Sequence, residues 1–304
     1  MSELVFRTIE ITDKSWIDAA LKRSQFRGCE YTFGNNFTWR RAYNVEIAPY
    51  EEMYLLRWDL GGEGVKYSFP AGGCGVREGV ELLKGYCDLR GEALVISANK
   101  EMTELILVEY PEARALYRRD SSDYIYLADD LSELRGKKYH AKRNHLNRFY
   151  ENDWSFEPIT SENIPECLAM NERWCEENIV RCDVKDSIEQ QSKLDESCVV
   201  RCGFKYYEAL GYTGGLIRVN GEVQAFTFGE PSADDTFVVH VEKALKTYQG
   251  AYTAINREFV RSLGGRYRYI NREEDTGAEN LRKAKLSYNP VFLEDKFDIT
   301  FGGK

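Results

Sequence analysis

The stretch Gly215–Glu230 reads GLIRVNGEVQAFTFGE, and its pattern decides the class of fold. Asn220-Gly221 is a turn dipeptide with alternating residues on both sides, the signature of a β-hairpin. Outward from it, 235–245 (DTFVVHVEKAL) reads as a strand, 247–265 as a turn and helix, and 267–275 as a strand. Residues 277–288 form a helix and 291–301 a closing strand, while 162–178 and 186–211 upstream are helical. The first half repeats this order. Helical stretches at 13–24 and 29–43 precede strands at 44–59 and 64–70, and a Gly-rich turn leads into a helix at 76–91. Short strands and a further helix fill 93–127. Helices, an antiparallel meander, a turn-led helix and more strand, met twice, make an α+β chain of two mixed, mostly antiparallel sheets flanked by helices.

A chain of 304 residues, 43% hydrophobic, suits two domains, since one ordinary core serves about 150 residues. The expected division is 1–134, a basic connecting helix at 135–150, and 151–304. No apolar run is long enough to span a bilayer, and MSELVFRTIEITDKSW lacks the basic and apolar regions of a signal peptide. A cytoplasmic protein is expected. The eight cysteines form no CxxC pair, so they read as reduced thiols, with no metal site expected.

Net charge is −9, but Arg135–Arg148 (RGKKYHAKRNHLNR) holds six Lys/Arg, two His and no acid. Such a run on an acidic body is a local device for an anion. At helical spacing Tyr139, Arg143, Leu146 and Tyr150 share one stripe, and Lys138, Lys142 and His145 the next. Arg143 therefore leans toward the protein, where it needs a negative partner. An ordinary solvated helix face is the alternative.

In the strand TFVVHVEKA, alternation puts Phe237, Val239 and Val241 on one face and Val238, His240 and Glu242 on the other. A histidine and a carboxylate on one face are candidate proton-handling groups. The Gln249-Gly250-Ala251 turn then opens a helix whose free N–H groups favour an anion. Both pieces also read as a surface pair and a plain helix start. Further on, Leu281, Lys285 and Tyr288 share a helical stripe, so Lys285 rises from an apolar face, with Arg282 pointing outward. Glu273, Glu274 and Asp275 precede that helix, where its dipole favours acids. Pro70–Gly75 (PAGGCG) lacks phosphate-loop spacing and reads as a tight turn.

Four stretches taken together resemble a known family. KYHAKRNHLNRF at 138–149, the hairpin, and INREEDTGAENLRKAKLSYNP at 270–290, with EYTFGNNFTWR at 30–40, are similar to the phosphatidylglycerol lysyltransferase C-terminal-like proteins. The resemblance covers nearly the whole chain. It implies two tandem GNAT-like acyltransferase domains, similar to the Fem-type aminoacyl transferases, with activity in the second. It also implies an acyl- or aminoacyl-transferase moving an activated group to an amine or hydroxyl. The donor is aminoacyl-tRNA or acyl-CoA, with no tightly bound cofactor. Glu242 and His240 would be catalytic. Lys138, Lys142, Arg143, Gln249, Gly250, Arg282 and Lys285 would hold donor phosphates. Tyr139, His140, Asn144, Asn271 and Tyr288 would line the groove. Two departures stand out: no membrane-spanning region, which leaves at most peripheral lipid contact, and a donor loop, TYQGAY at 247–252, that keeps one glycine and has Tyr252 where a small residue belongs. A non-catalytic anion- or nucleotide-binding module on a duplicated fold is the competing class.

Overall fold

The structure is a computed structural model that describes residues 4–178 and 188–302, apart from 60 and 63. Cys182 lies outside the described residues; the seven other cysteines are free thiols. The chain begins with β1 (Arg7–Thr8), α1 (Lys14–Ser24), α2 (Phe33–Trp39), β2 (Glu46–Tyr50), β3 (Met53–Asp59) and β4 (Val65–Ser68). It continues through α3 (Val76–Arg90), β5 (Val95–Asn99), α4 (Lys100–Glu109), β6 (Arg114–Tyr117), β7 (Asp123–Leu127), α5 (Ala128–Glu133) and α6 (His140–Phe149). Then come β8 (Trp154–Pro158), α7 (Ile164–Asn178), α8 (Ile188–Lys205), α9 (Tyr207–Leu210), β9 (Thr213–Val219), β10 (Glu222–Ala233) and β11 (Thr236–Ala244). The chain closes with α10 (Ala251–Ser262), β12 (Tyr269–Asn271), α11 (Glu279–Leu286), β13 (Phe292–Glu294) and β14 (Lys296–Thr300).

Two sheets of seven strands result, ordered β1-β2-β3-β4-β5-β14-β6 and β8-β9-β10-β11-β12-β7-β13. The layouts match position for position. Each has one parallel pair, β4 with β5 and β11 with β12, joined by the crossover helix that parallel strands require. The expected α+β class of two GNAT-like units is therefore what the structure contains.

The expected division at 134 and 151 does not follow the sheets. β7 lies in the second sheet, between β12 and β13, and β14 lies in the first, between β5 and β6. Each half thus lends the other one strand. The exchange follows burial: Tyr124 and Tyr126 of β7 pack with Phe237, Phe259 and Ile270, whereas Ile299 of β14 packs with Ile96, Ala98 and Ile106. Alternation along a strand reveals its two faces but not its neighbours. The basic segment also joins the second unit, because Leu146 and Phe149 of α6 enter one core with Ile217, Ala251 and Ile255. A fourth core crosses between the halves, setting Ile17, Phe33, Phe37 and Tyr54 against Phe204, Phe226, Phe228 and Val241.

Candidate functional site

The site is built on β11. Its ladder with β10 pairs Val241 with Phe228 and Val239 with Gly229, leaving His240 as the extra residue of a β-bulge. Gly229 permits it: a Cβ there would stand 1.8 Å from the Val238 carbonyl oxygen. The bulge overturns the alternation expected from sequence. Phe237 and Val239 enter the core beneath α10, but Val241 enters the core on the opposite face. His240 and Glu242 consequently bond to different partners on different sides of the strand. One inserted residue flips everything beyond it.

Past Val238 and Asn271, β11 and β12 part, and the two residues after β12 bridge the gap. Arg272 Nη2 donates to Glu242 Oε1 at 2.7 Å, and Asn256 Nδ2 of α10 donates to Glu242 Oε2 at 3.0 Å. Arg272 Nη1 is buried without a hydrogen-bond partner among the described residues. The Tyr288 ring lies beneath two cations, Lys142 Nζ at 3.7 Å from its centre and the Arg272 guanidinium at 4.7 Å. Burial, reinforced by Arg272, pushes the Lys142 ammonium down to about 8. Two cations and one carboxylate leave this opening electropositive, with a donor waiting for an oxygen.

On the other face His240 Nδ1 lies 2.7 Å from Glu273 Oε1 and Nε2 lies 3.0 Å from Glu230 Oε1. Burial alone would push the imidazole down, but the hydrogen bonds and charges of Glu230 and Glu273 outweigh it and lift His240 to about 9. Glu230 Oε1 also accepts the Gly34 N–H of α2 at 2.7 Å, so this clamp ties the second sheet to the first half. An imidazolium with both N–H groups committed is a brace and has no free lone pair for a base.

Other candidates are committed elsewhere. Arg143 leans inward as expected, but its partners are the carbonyls of Leu134 and, at 2.7 Å, Gly136, where it caps α5. Lys138 pairs with Asp130 at 2.8 Å. Tyr139 is fully buried, and its hydroxyl donates to the Tyr288 carbonyl at 2.9 Å. His140 and Asn144 contact each other on the exposed face of α6. Arg282 does not face the opening; it grips Asp275 through Nε and Nη2, both at 2.8 Å, and Asp120 at 2.6 Å. Against the cost of burial, bonds from Arg282 and Tyr124 hold the Asp275 carboxyl well below the usual range. Lys285 is buried and donates to the carbonyls of Arg272, Glu273 and Glu274, which fixes the loop after β12. Asn271 is buried between the Arg27 carbonyl and Asp123, each at 2.8 Å. These residues shape the opening without lining it.

Gly250 has φ +96°, and a Cβ there would stand 2.3 Å from the His145 carbonyl oxygen, so α6 packs directly on the entry to α10. Gln249 is taken by Arg148 at 3.0 Å, with His145 at 3.4 Å. Arg272, Asn256, Glu230 and Glu273 were missed as site residues; an arginine directly behind a very short strand was the available signal for Arg272. A separate group, buried Cys29 and Asp123 with half-buried Glu274, has metal-ligating types within 4.8 Å of one another. Lys296 Nζ stands 2.7 Å from Asp123 Oδ1 and 3.5 Å from Cys29 Sγ, so an ammonium fills the place of a cation there.

Two sheets of one layout, each with a single parallel pair among the described residues, define a tandem GNAT-like fold. The family model described as "Phosphatidylglycerol lysyltransferase, C-terminal" matches residues 21–300, and the chain belongs to that family. A conserved protein of unknown function from Bacteroides thetaiotaomicron is 36% identical with a TM-score of 0.91, over 99% of this chain and all of that one. The structure of L-PGS from Bacillus licheniformis is 14% identical with a TM-score of 0.64, over 96% and 93%. FemX is 8% identical with a TM-score of 0.59, over 97% and 96%. At these identities the last two show the fold alone. An uncharacterised protein of Mycoplasmoides gallisepticum is 21% identical over 187 residues, 60% of this chain and 57% of that protein, so the chain spans little more than half of this curated relative. No helix among the described residues is long and apolar enough to cross a membrane.

Proposed function

We propose that this protein transfers an aminoacyl group from tRNA to an amine or hydroxyl acceptor, in the opening between β11 and β12. The observation that carries this reading is the Arg272 guanidinium, paired with Glu242 through one nitrogen while Nη1, beside Lys142, is buried without a hydrogen-bond partner among the described residues. A buried orphan donor next to a second cation suits an oxygen on which negative charge grows, as at an ester carbonyl under attack. In the reaction the acceptor's nucleophile bonds to the ester carbon and the bond to the ribose oxygen breaks. The acceptor gives up one proton and the ribose oxygen takes one up. Glu242 orients Arg272 and draws the acceptor's proton. Lys142, titrating near 8, is suited to supply the proton to the leaving oxygen.

Four features favour tRNA over acyl-CoA. α6 packs against Gly250, where a pyrophosphate cradle would have to be open. Gln249 is already bonded to α6, and Tyr252 occupies the small-residue position. Exposed Lys137 just before α6, with His140, His145 and Arg148 on it, also gives this segment a basic face for phosphates. The description of the family, a phosphatidylglycerol lysyltransferase, is consistent with transfer of an aminoacyl group.

The test is a mobility-shift titration with charged tRNA at two salt concentrations, beside calorimetry with acyl-CoAs. The expected result is a tRNA shift that weakens steeply with salt, and silence from every acyl-CoA. No shift at low salt would overturn the tRNA donor. Transfer of a labelled aminoacyl group is then followed to phosphatidylglycerol vesicles and to soluble amines, which identifies the acceptor.

A further inference from the structure

Tyr252 enters the first turn of α10 immediately beyond the Gly250-Ala251 entry, and the loop chemistry leaves it unexplained. Trp174 Nε1 of α7 donates to the Tyr252 hydroxyl at 3.1 Å, and the backbone of Ala244, the last residue of β11, lies near enough to favour the ionised phenol against the larger effect of burial. The phenol is thereby tied to α7, near the end of the strand that carries Glu242. Trp174 is itself fixed, with Lys243 Nζ 3.4 Å from its ring centre and Glu196 holding that ammonium at 2.6 Å. Even so, 39% of Tyr252 is open to solvent. Gln249, three residues earlier, is bound by Arg148 of the basic helix. A half-open aromatic ring braced by α7 thus stands within charge range of Glu242, three residues past a glutamine bound to the basic helix.

We propose that Tyr252, braced by Trp174, is the platform on which the unpaired terminal base of the donor RNA stacks. The proposal rests on the RNA-donor reading above and adds the part of the RNA that is recognised. An unpaired base has a π-face whatever its identity, and proteins that hold single strands pair aromatic platforms with basic grooves. Stacking at Tyr252 would hold the end of the strand while the cations of α6 hold its backbone. The ester on the terminal ribose would then lie toward Glu242 and Arg272, two residues back along β11 and across the opening.

The experiment measures filter binding of an intact, deacylated tRNA and of the same tRNA lacking its 3′-terminal adenosine. Wild type should bind the intact RNA more tightly. Tyr252→Ala should weaken the intact RNA about tenfold or more, the range of single-base stacking on an aromatic side chain, and leave the shortened RNA unchanged. Tyr252→Phe keeps the ring and should keep the preference. Equal weakening of both RNAs by Tyr252→Ala, or none, overturns the platform while leaving the tRNA reading standing. Failure of wild type to bind either RNA overturns both. Should Tyr252→Ala not fold, an RNA with 2-aminopurine as its terminal base is added to the wild-type protein. Quenching of its fluorescence supports stacking, and an unchanged signal overturns it.

Discussion

The two parallel pairs, β4 with β5 and β11 with β12, occupy the same place in two sheets of the same layout and have opposite contents. In the first sheet the chain after Ser68 stays bonded: Phe69 N–H reaches the Ser97 carbonyl at 3.0 Å, and Ala71 bridges back to Tyr54. The Phe69 ring packs against the first turn of α3, where a Cβ on Gly79 would meet it at 3.1 Å. Apolar residues including Val80, Leu83, Ile96 and Ile106 complete the filling. In the second sheet the corresponding opening holds Glu242, Arg272 and Lys142 around Tyr288. Layout alone therefore does not make a site. A bulge that turns Glu242 toward α10, and an arginine placed just behind β12, convert one opening to chemistry while its twin became core.

The severest way to break the comparison is to undo the strand exchange. Deleting 296–304 removes β14 from between β5 and β6 and strips Asp123 of its buried ammonium. Loss of a cooperative thermal transition is expected, since a buried charge left unpaired alone costs about 3–5 kcal/mol. Retention of the transition would mean that the halves do not depend on the exchange. Next in size, Glu242→Gln should lower aminoacyl transfer by about a hundredfold or more, in line with the usual contribution of a proton-handling group. Its melting temperature should move only slightly, and single-turnover transfer and calorimetry read the two effects separately.

The sequence carried the hairpin at Asn220-Gly221, the α+β class and the helical phase of 139–150, because these depend on neighbours in the chain. Tyr139 and Leu146 are buried and Arg143 leans inward, as that phase requires. Three things depended on distant partners and were not legible. The lending of β7 and β14 leaves no mark on their own alternation. The bulge at His240 depends on Gly229 across the ladder, so the shared face of His240 and Glu242 did not survive. Arg282 and Lys285 looked free because Asp275 and the loop carbonyls that hold them come together only in the fold. Arg272, which faces the opening, was hidden in a stretch read for its acids.

The His240 clamp sharpens the contrast through pH. Its folded value of about 9 lies above the ordinary 6.5, so its stabilisation is fully present below about 6.5 and disappears as pH rises through about 9. The loss amounts to about 3 kcal/mol at most. Urea midpoints should fall across that window in wild type, and His240→Gln should flatten that part of the profile. A profile that keeps its full slope in the variant would remove His240 from the account. Lys142→Met should slow transfer by about a hundredfold and erase the inflection near pH 8 in the rate profile, whereas an unchanged inflection would assign it to another group. At the smallest end, Ser68→Ala in the first sheet should change transfer by less than about twofold, since surroundings of that kind carry packing alone.

Which opening receives the donor is answered most directly by hydrogen exchange with a tRNA whose aminoacyl group is joined to the terminal ribose through a stable amide. Exchange should slow across 138–150 and 239–252 and stay unchanged across 68–79. Protection of 68–79 with none at 239–252 would contradict the account and move the site to the other sheet.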